Sequence, residues 1–404
     1  MISLSRQDEA LEHYSSFLSL TTSAVDTARG MRKVGRLQLL RGELTTAQQH
    51  LEMALARLSN LPPVAEVSRI HHCLAYLFFS KNQMDRASKH ADTGLEISRQ
   101  VGDLRGLADA TGTKAAIAVR QGKIRAAREY QERVSAIYLE LGDLPRIARN
   151  HNNLGNSYRL LGQMDRALEH LVKGLEIVRR IGDTREESLL LETTAEVFLD
   201  QGHWESAISH LEQGLFLAQA SGATARLIAI HRLLGLAYEG DGHWQEAQYH
   251  LEMAEMQSLK IQLTRYLPRI YLDLAHFRAT QGKFDEALKY VDLAVESAES
   301  EPSDLFFGLV QHCLGYVHSC LGDWDSAVEC LEKGLEVLKQ TDCPVEVAKT
   351  RLTLGIAYEN RNLEGDKERA CEQLSSALAT CQQIEARGYS AQAEAHMQAL
   401  ACRT

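Results

Sequence analysis

The feature that most constrains this chain is an alanine that recurs every 40 residues. Five residues before each alanine stands a glycine, or Asn82 in the second case, and these residue types readily adopt the left-handed conformation that ends a helix. A fixed period of this length is typical of arrays in which one helical or strand unit stacks on the next. The eight alanines are Ala47, Ala87, Ala127, Ala167, Ala207, Ala247, Ala287 and Ala327.

A second small residue stands twelve positions before each alanine. A small residue at constant spacing on a helix allows a partner helix to approach closely. The apolar residues on both sides follow helical spacing, as at Leu154 and Tyr158 before the turn and at Leu171 and Leu175 after it. Each repeat is therefore predicted to be helix A followed by an antiparallel helix B, with small residues facing each other. The second series is Gly35, Ala75, Ala115, Gly155, Ala195, Gly235, Ala275 and Gly315, and Gly355 takes this place in a ninth unit.

Turn signals place the boundaries of the repeats near residues 63, 103, 143, 183, 223, 263, 303 and 343. In Ile181-Gly182-Asp183, for example, glycine stops helix B and aspartate can cap the next helix A. We expect eight 40-residue repeats over residues 25–343 and a ninth, with an insertion and its alanine at Ala370, over 344–385. Residues 1–24 are predicted to be an N-terminal capping helix, or helix B of a truncated repeat, and residues 386–404 a C-terminal capping helix. No linker interrupts this run, so one elongated domain is expected.

These residues resemble the tetratricopeptide repeat family, whose signature stands here as Leu154-Gly155, Tyr158, Ala167, Leu171 and Gly174. The usual repeat of that family is about 34 residues. The repeat here is 40 residues long, and long-period repeats of this kind are similar to those of spindle-orientation adaptors, kinesin light chains, maltose-type transcription activators and bacterial peptide-sensing regulators. The resemblance implies an all-α, right-handed superhelical solenoid of antiparallel helix pairs.

Composition and motifs narrow the function further. The 44 basic and 54 acidic residues give a net charge of −10, which argues against general binding to nucleic acid or to anionic membranes. No apolar stretch is long enough for a transmembrane helix and no secretory signal is seen, so a cytoplasmic protein is expected. Gly-rich phosphate loops, nucleophile-serine turns and kinase or nuclease signatures are missing from the sequence. We therefore expect no catalytic residue and no cofactor.

Cysteine and histidine are expected to be structural. None of the eight cysteines forms a CxxC pair, and most lie in predicted helices, so packing is favoured over a disulfide framework. In His71-His72-Cys73 and His312-Cys313, neighbouring side chains point about 100° apart on a helix, which does not make a metal-binding face. No metal site is predicted.

The resemblance implies that fixed positions of helix A line a concave inner wall. In the first four repeats these positions hold six arginines and one aspartate, Asp109, whereas the later repeats carry a slight acidic excess. Arginine clusters recognise carboxylates, and asparagines can pair with the backbone of an extended peptide. Alternatively, the arginines make salt bridges within the wall or are solvated. The predicted contact surface is centred on Arg149, Asn152, Asn156 and Arg159 and extends to Arg29, Arg32, Arg36, Arg69, His72 and Tyr76.

The sequence thus predicts a non-catalytic scaffold or sensor module that binds an acidic or extended polypeptide segment. Two alternatives stay open. One is a bacterial signalling-peptide receptor or regulator, in which a short peptide tightens the superhelix. The other, suggested by the truncated first repeat, is the sensor region of a larger signalling ATPase or transcription activator.

Overall fold

Every regular element of the described chain is helical. The computed structural model describes residues 4–298 and 303–402, and in them twenty α-helices and one 3₁₀ turn at Thr264–Tyr266 follow one another. None of the helices in these ranges is long and apolar enough to span a bilayer. The predicted all-α fold is confirmed. The predicted boundary near residue 303 adjoins residues 299–302, and these, like residues 1–3 and 403–404 of the predicted caps, lie outside the described residues.

The helices form nine consecutive pairs, which we number as repeats 1 to 9. One helix, α1 at Leu4–Leu20, precedes the pairs and another, α20 at Arg387–Ala399, follows them. The A helices are α2 (Ala24–Arg41), α4 (Ala65–Ser80), α6 (Leu104–Arg120), α8 (Leu144–Leu160), α10 (Thr184–Gln201), α12 (Thr224–Gly240), α14 (Leu267–Thr280), α16 (Asp304–Leu321) and α18 (Pro344–Arg361). The B helices are α3 (Leu44–Arg57), α5 (Met84–Val101), α7 (Ile124–Leu141), α9 (Met164–Ile181), α11 (Trp204–Ala220), α13 (Trp244–Lys260), α15 (Phe284–Ser297), α17 (Trp324–Leu338) and α19 (Asp366–Gln383).

Glycine and aspartate end and start these helices as their chemistry requires. Gly182 closes α9 with φ 71°, a conformation that costs glycine little, and its N–H donates to the Arg179 carbonyl. The next residue, Asp183, caps α10 by accepting a hydrogen bond from the backbone N–H of Glu186 at 3.1 Å. Two residues therefore reverse the chain between one repeat and the next.

The repeating small residues set how closely the two helices of a pair approach. A Cβ atom added to Gly155 of α8 would lie 2.6 Å from Leu171 Cγ and 3.3 Å from the Ala167 carbonyl oxygen of α9. Ala167 itself is fully buried. The glycine of helix A therefore makes room for a leucine side chain of helix B and for the backbone carbonyl of the repeating alanine.

The chain divides into two compact units, each of which is described by itself. The N-terminal unit comprises Met1–Arg120 and Ala126–Leu144, and the C-terminal unit comprises Gln121–Arg125 and Pro145–Thr404. In the N-terminal unit, apolar side chains of α2 to α5 form the main core, with Leu51, Ile70, Leu77 and Phe78 fully buried. The limits of the repeats and caps within these units stay predictions.

One expectation about cysteine is wrong. Cys371 of α19 and Cys402, just after α20, form a disulfide with their Cα atoms 5.5 Å apart. The remaining cysteines are free, and four of them, Cys73, Cys313, Cys343 and Cys381, are buried as packing residues. This disulfide was not predicted, because the two cysteines are 31 positions apart and meet only when α20 folds back on α19.

Candidate functional site

Three of the predicted contact residues in the N-terminal unit surround one buried carboxylate. Glu66 lies in the first turn of α4, and its side chain is only 2% exposed. It accepts a hydrogen bond from Arg32 of α2, while Arg29 Nε and Arg69 Nη1 lie 3.8 and 3.9 Å from Glu66 Oε2. A buried carboxylate needs such cations, because burial without them costs several kcal/mol. Three of the predicted arginines therefore hold Glu66 in place.

Two further carboxylates compensate the same arginines. Arg29 donates to Asp26 at 2.8 Å, and Arg69 Nε lies 3.3 Å from Asp103 Oδ2. The positive excess expected from the arginines is consequently much smaller than their number indicates. This compensation could have been recognised in the sequence from an acidic residue three positions before the first wall position of helix A, as at Asp26 and Glu66. A count of charges at the wall positions alone does not include these residues.

Arg36 and Tyr76 are predicted residues of this wall that are accessible and do not hold an internal carboxylate. They occupy the same position of consecutive A helices, 40 residues apart. Arg36 is exposed and has no hydrogen-bond or ion-pair partner among the residues that the structure describes, and Tyr76 is 46% exposed. The remaining predicted residue here, His72, is hydrogen-bonded, with its Nδ1 atom 3.0 Å from Thr113 Oγ1. A cation and an accessible aromatic ring thus occupy equivalent positions of two neighbouring repeats.

In the C-terminal unit the four predicted central residues lie along α8 but differ in accessibility. Arg149 is the most exposed, with 61% of its side chain accessible, and it forms an ion pair with Glu186 of α10. Asn152 is buried, and its Oδ1 has no hydrogen-bond partner in the described chain. Asn156 accepts a hydrogen bond from Arg159 Nη2 at 3.0 Å. The predicted stripe exists, but most of its polar atoms face neighbours in the wall.

Arg159 belongs to a buried network of charges. Its Nη1 donates to Asp200 Oδ2 at 2.7 Å, and Lys349 Nζ donates to Asp200 Oδ1 at 3.0 Å. The side chains of Arg159 and Asp200 are only 14% and 8% exposed. Burial by itself would raise the pKa of Asp200, but the charges of Lys349 and Arg159 outweigh it and hold that pKa below its usual range. Asp200 was not predicted, because it stands one residue past the last wall position of α10.

Other charged residues of this wall also neutralise one another. Burial would lower the pKa of His276, yet the bond to Glu239 outweighs it and raises that pKa. Repeats 4 to 9 therefore offer a polar, charge-balanced wall. Three pairs illustrate this: Arg226 with Glu192 at 2.7 Å, Arg232 with Asp273 at 2.6 Å, and His276 with Glu239 at 3.1 Å.

Histidines meet in three repeats, each time one from helix A and one from helix B. In the described residues no group of three histidine, cysteine or acidic side chains is placed to hold a metal ion. In each pair one imidazole donates to the other, because two unprotonated Nδ1 atoms would repel at such distances. The Nδ1 atoms are 2.9 Å apart in His71–His90, 3.0 Å in His151–His170 and 2.8 Å in His231–His250.

Comparison with known proteins finds a repeat family that matches two segments of the chain. Residues 146–220 and 266–340 match the family model described as tetratricopeptide repeat. No curated protein sequence matches the chain.

Solved structures share the fold at low sequence identity. NprR in complex with its cognate peptide NprX is 13% identical, with a TM-score of 0.61 over 87% of this chain and 98% of that one. A Rap protein complexed with competence and sporulation factor is 14% identical, with a TM-score of 0.60 over 98% and 99%. Aspartyl phosphate phosphatase F from Bacillus subtilis is 15% identical, with a TM-score of 0.54 over 96% of each chain.

Proposed function

Because the chain carries tetratricopeptide repeats, we propose that it is a non-catalytic scaffold that holds a polypeptide segment with acidic groups. Stacked helical repeats create extended concave surfaces, which suit long partners better than small substrates. One observation carries the proposal. Arg36 and Tyr76 present an uncompensated guanidinium and an accessible aromatic ring at equivalent positions of neighbouring repeats.

The chemistry of these two residues specifies the ligand. A guanidinium without an internal partner can form a bidentate pair with a carboxylate of the ligand. An exposed tyrosine supplies apolar contact at low entropic cost, and Arg and Tyr are enriched among residues that dominate binding energies. The segment should therefore carry Asp, Glu or a free C-terminus close to an apolar side chain. Its affinity should fall as salt concentration rises.

Fluorescence anisotropy with a labelled decaglutamate peptide tests this proposal. We expect Arg36→Glu to weaken binding at least about tenfold, since it replaces attraction by repulsion at the contact. The control is Lys89→Glu, which makes the same change of net charge at an exposed position of α5. Equal weakening by both variants would show that only net charge matters and would contradict the proposed site.

A second pair of variants addresses the predicted centre on α8. Arg149→Glu changes the most exposed residue of that stripe, and Arg269→Glu changes a 41% exposed arginine of α14 in the same unit. If the α8 stripe contacts the ligand, Arg149→Glu alone should weaken binding of the peptide. Loss of binding only in Arg269→Glu would place the contact outside the predicted stripe.

A narrower candidate is a receptor for a short signalling peptide. It is favoured by the likeness to NprR, which is seen with its cognate peptide NprX. Acidic peptides of increasing length distinguish the two candidates. For a receptor, affinity should stop rising once the peptide fills a short site, whereas for an adaptor it should keep rising as more repeats are engaged.

A further inference from the structure

The last three helices of the C-terminal unit return to pack on its first ones. Val345 and Ala348 of α18, together with Ile384 after α19, belong to one buried apolar cluster with side chains of α8, α9 and α10. At the edge of this contact, the turn glycine Gly162 is so close to Ile384 that an added Cβ would lie 2.7 Å from Ile384 Cγ2. We call the contacts of 342–389 with 121–125 and α8–α10 the seam.

Polar groups extend the seam on one side. The backbone N–H of Asp342 donates to the Gly122 carbonyl at 3.0 Å, and the Asp342 carboxylate accepts from the backbone N–H of Arg125 at 3.1 Å. Arg125 Nη1 also lies 3.2 Å from Asp342 Oδ1. The turn before α7 and the turn before α18 are thus joined by three interactions.

The centre of the seam is the charged network of Arg159, Asp200 and Lys349. Lys349 and Asp200 are 149 residues apart, so their bond joins repeat 9 to repeat 5. In a solenoid each repeat depends mainly on its immediate neighbours. A contact over this separation can therefore break while each repeat keeps its own partners.

We propose that the seam is an autoinhibitory contact, in which Asp200 occupies the cations of Arg159 and Lys349 that a ligand carboxylate would otherwise use. This inference rests on the proposed function. When the seam opens, Lys349 leaves Asp200, and the Arg159 end of the α8 stripe becomes accessible to an acidic segment. Binding of that segment and closure of the seam are consequently competing events.

Two glycine variants test the seam with a matched control. Gly162→Ala forces a methyl group against Ile384, which is 2% exposed. Gly182→Ala places the same methyl group at the turn that follows α9, where no atom lies within 4 Å of it. Since φ is 73° at Gly162 and 71° at Gly182, both variants impose the same backbone strain, and only the first wedges the seam.

Hydrogen exchange measured by mass spectrometry on the full chain reports the opening. Relative to Gly182→Ala, we expect Gly162→Ala to exchange at least about tenfold faster in α18–α20 and no faster in α12–α15. Equal exchange in the two variants would overturn the inference, because the wedge would then not open the seam. Faster exchange throughout the C-terminal unit would also overturn it, because the seam would then be part of one cooperative core.

A second variant and a binding measurement separate this inference from the proposed function. Asp342→Ala removes the two contacts of the Asp342 carboxylate with Arg125 at the edge of the seam without changing its buried centre, and it should accelerate exchange in α18 in the same sense. In the Arg36→Glu background, Gly162→Ala should bind labelled decaglutamate at least about threefold more tightly than Gly182→Ala. Equal affinities would overturn autoinhibition. If no form of the chain binds the peptide, the proposed function fails while the exchange result still decides whether the seam opens.

Discussion

At the scale of single residues, acidic side chains in the first turn of helix A organise the arginines of both walls. Glu66 gathers Arg29, Arg32 and Arg69, and Glu186 holds Arg149 in the same way from the next repeat. The first turn favours an acid because the helix dipole is positive there. The same carboxylate therefore caps one helix electrostatically and fixes the guanidinium groups of its neighbour.

Glu66→Ala should strongly destabilise the N-terminal unit. The change leaves Arg32, whose side chain is 11% exposed, as a buried charge without its main partner. Breaking a buried pair from one side typically costs about 3–5 kcal/mol. Urea denaturation should show a loss in this range. Glu96→Ala, at an exposed position of α5, should change the unfolding free energy by less than about 0.5 kcal/mol, and equal losses would contradict the role of Glu66.

At the scale of helices, close approach within a pair depends on small residues such as Gly155. Gly155→Ala should destabilise the C-terminal unit by about 1–3 kcal/mol, because its methyl group would lie 2.6 Å from Leu171 Cγ. Gly112→Ala, inside α6 with no atom near the added methyl, should instead stabilise the N-terminal unit by about 0.5–1 kcal/mol through helix propensity. Thermal melts of the two variants should shift in opposite directions.

The histidine pairs link helix A to helix B and make stability depend on pH. Burial, reinforced by the neighbouring His170, lowers the pKa of His151 from 6.5 to about 4. The unfolded chain therefore binds a proton there before the folded chain does, so the contribution to stability is complete above pH 6.5 and is lost as the pH falls toward 4.

A double variant checks this pH dependence. In His151→Gln/His170→Gln, the fall in unfolding free energy between neutral and acidic pH should be smaller than in the unmodified chain by about 1–2 kcal/mol, a figure reduced for the partial exposure of the pair. Denaturant titrations at pH values across this window measure it. An unchanged slope would show that the pair does not carry the dependence.

At the scale of the whole molecule, the C-terminal end is tied down covalently as well as by packing. The Cys371–Cys402 disulfide closes a loop that contains α20, and its two ends are 31 positions apart in the sequence. In the chain-entropy model, such a loop contributes about 3–4 kcal/mol.

Cys402→Ser should therefore lower the midpoint of unfolding of the C-terminal unit under non-reducing conditions. Dithiothreitol should lower the midpoint of the unmodified chain by the same amount and leave the variant unchanged. A non-reducing peptide map provides the direct check of the pairing. If the reductant shifts both proteins equally, the disulfide is not the source of the stability.

The alanine and glycine periods were enough to predict the helix pairs and the turns between them, because these depend on local backbone preferences and on contacts between neighbours in the chain. The positions of Arg36 and Tyr76 on one wall follow from the same register. Which arginines stay uncompensated was decided only in the tertiary structure, since Glu66 and Asp200 come from adjacent helices at positions outside the wall pattern. The seam and the disulfide also lay beyond the sequence pattern. They join residues many repeats apart or across a folded-back helix, and such contacts depend on the accumulated angles between successive helices, which no single repeat encodes.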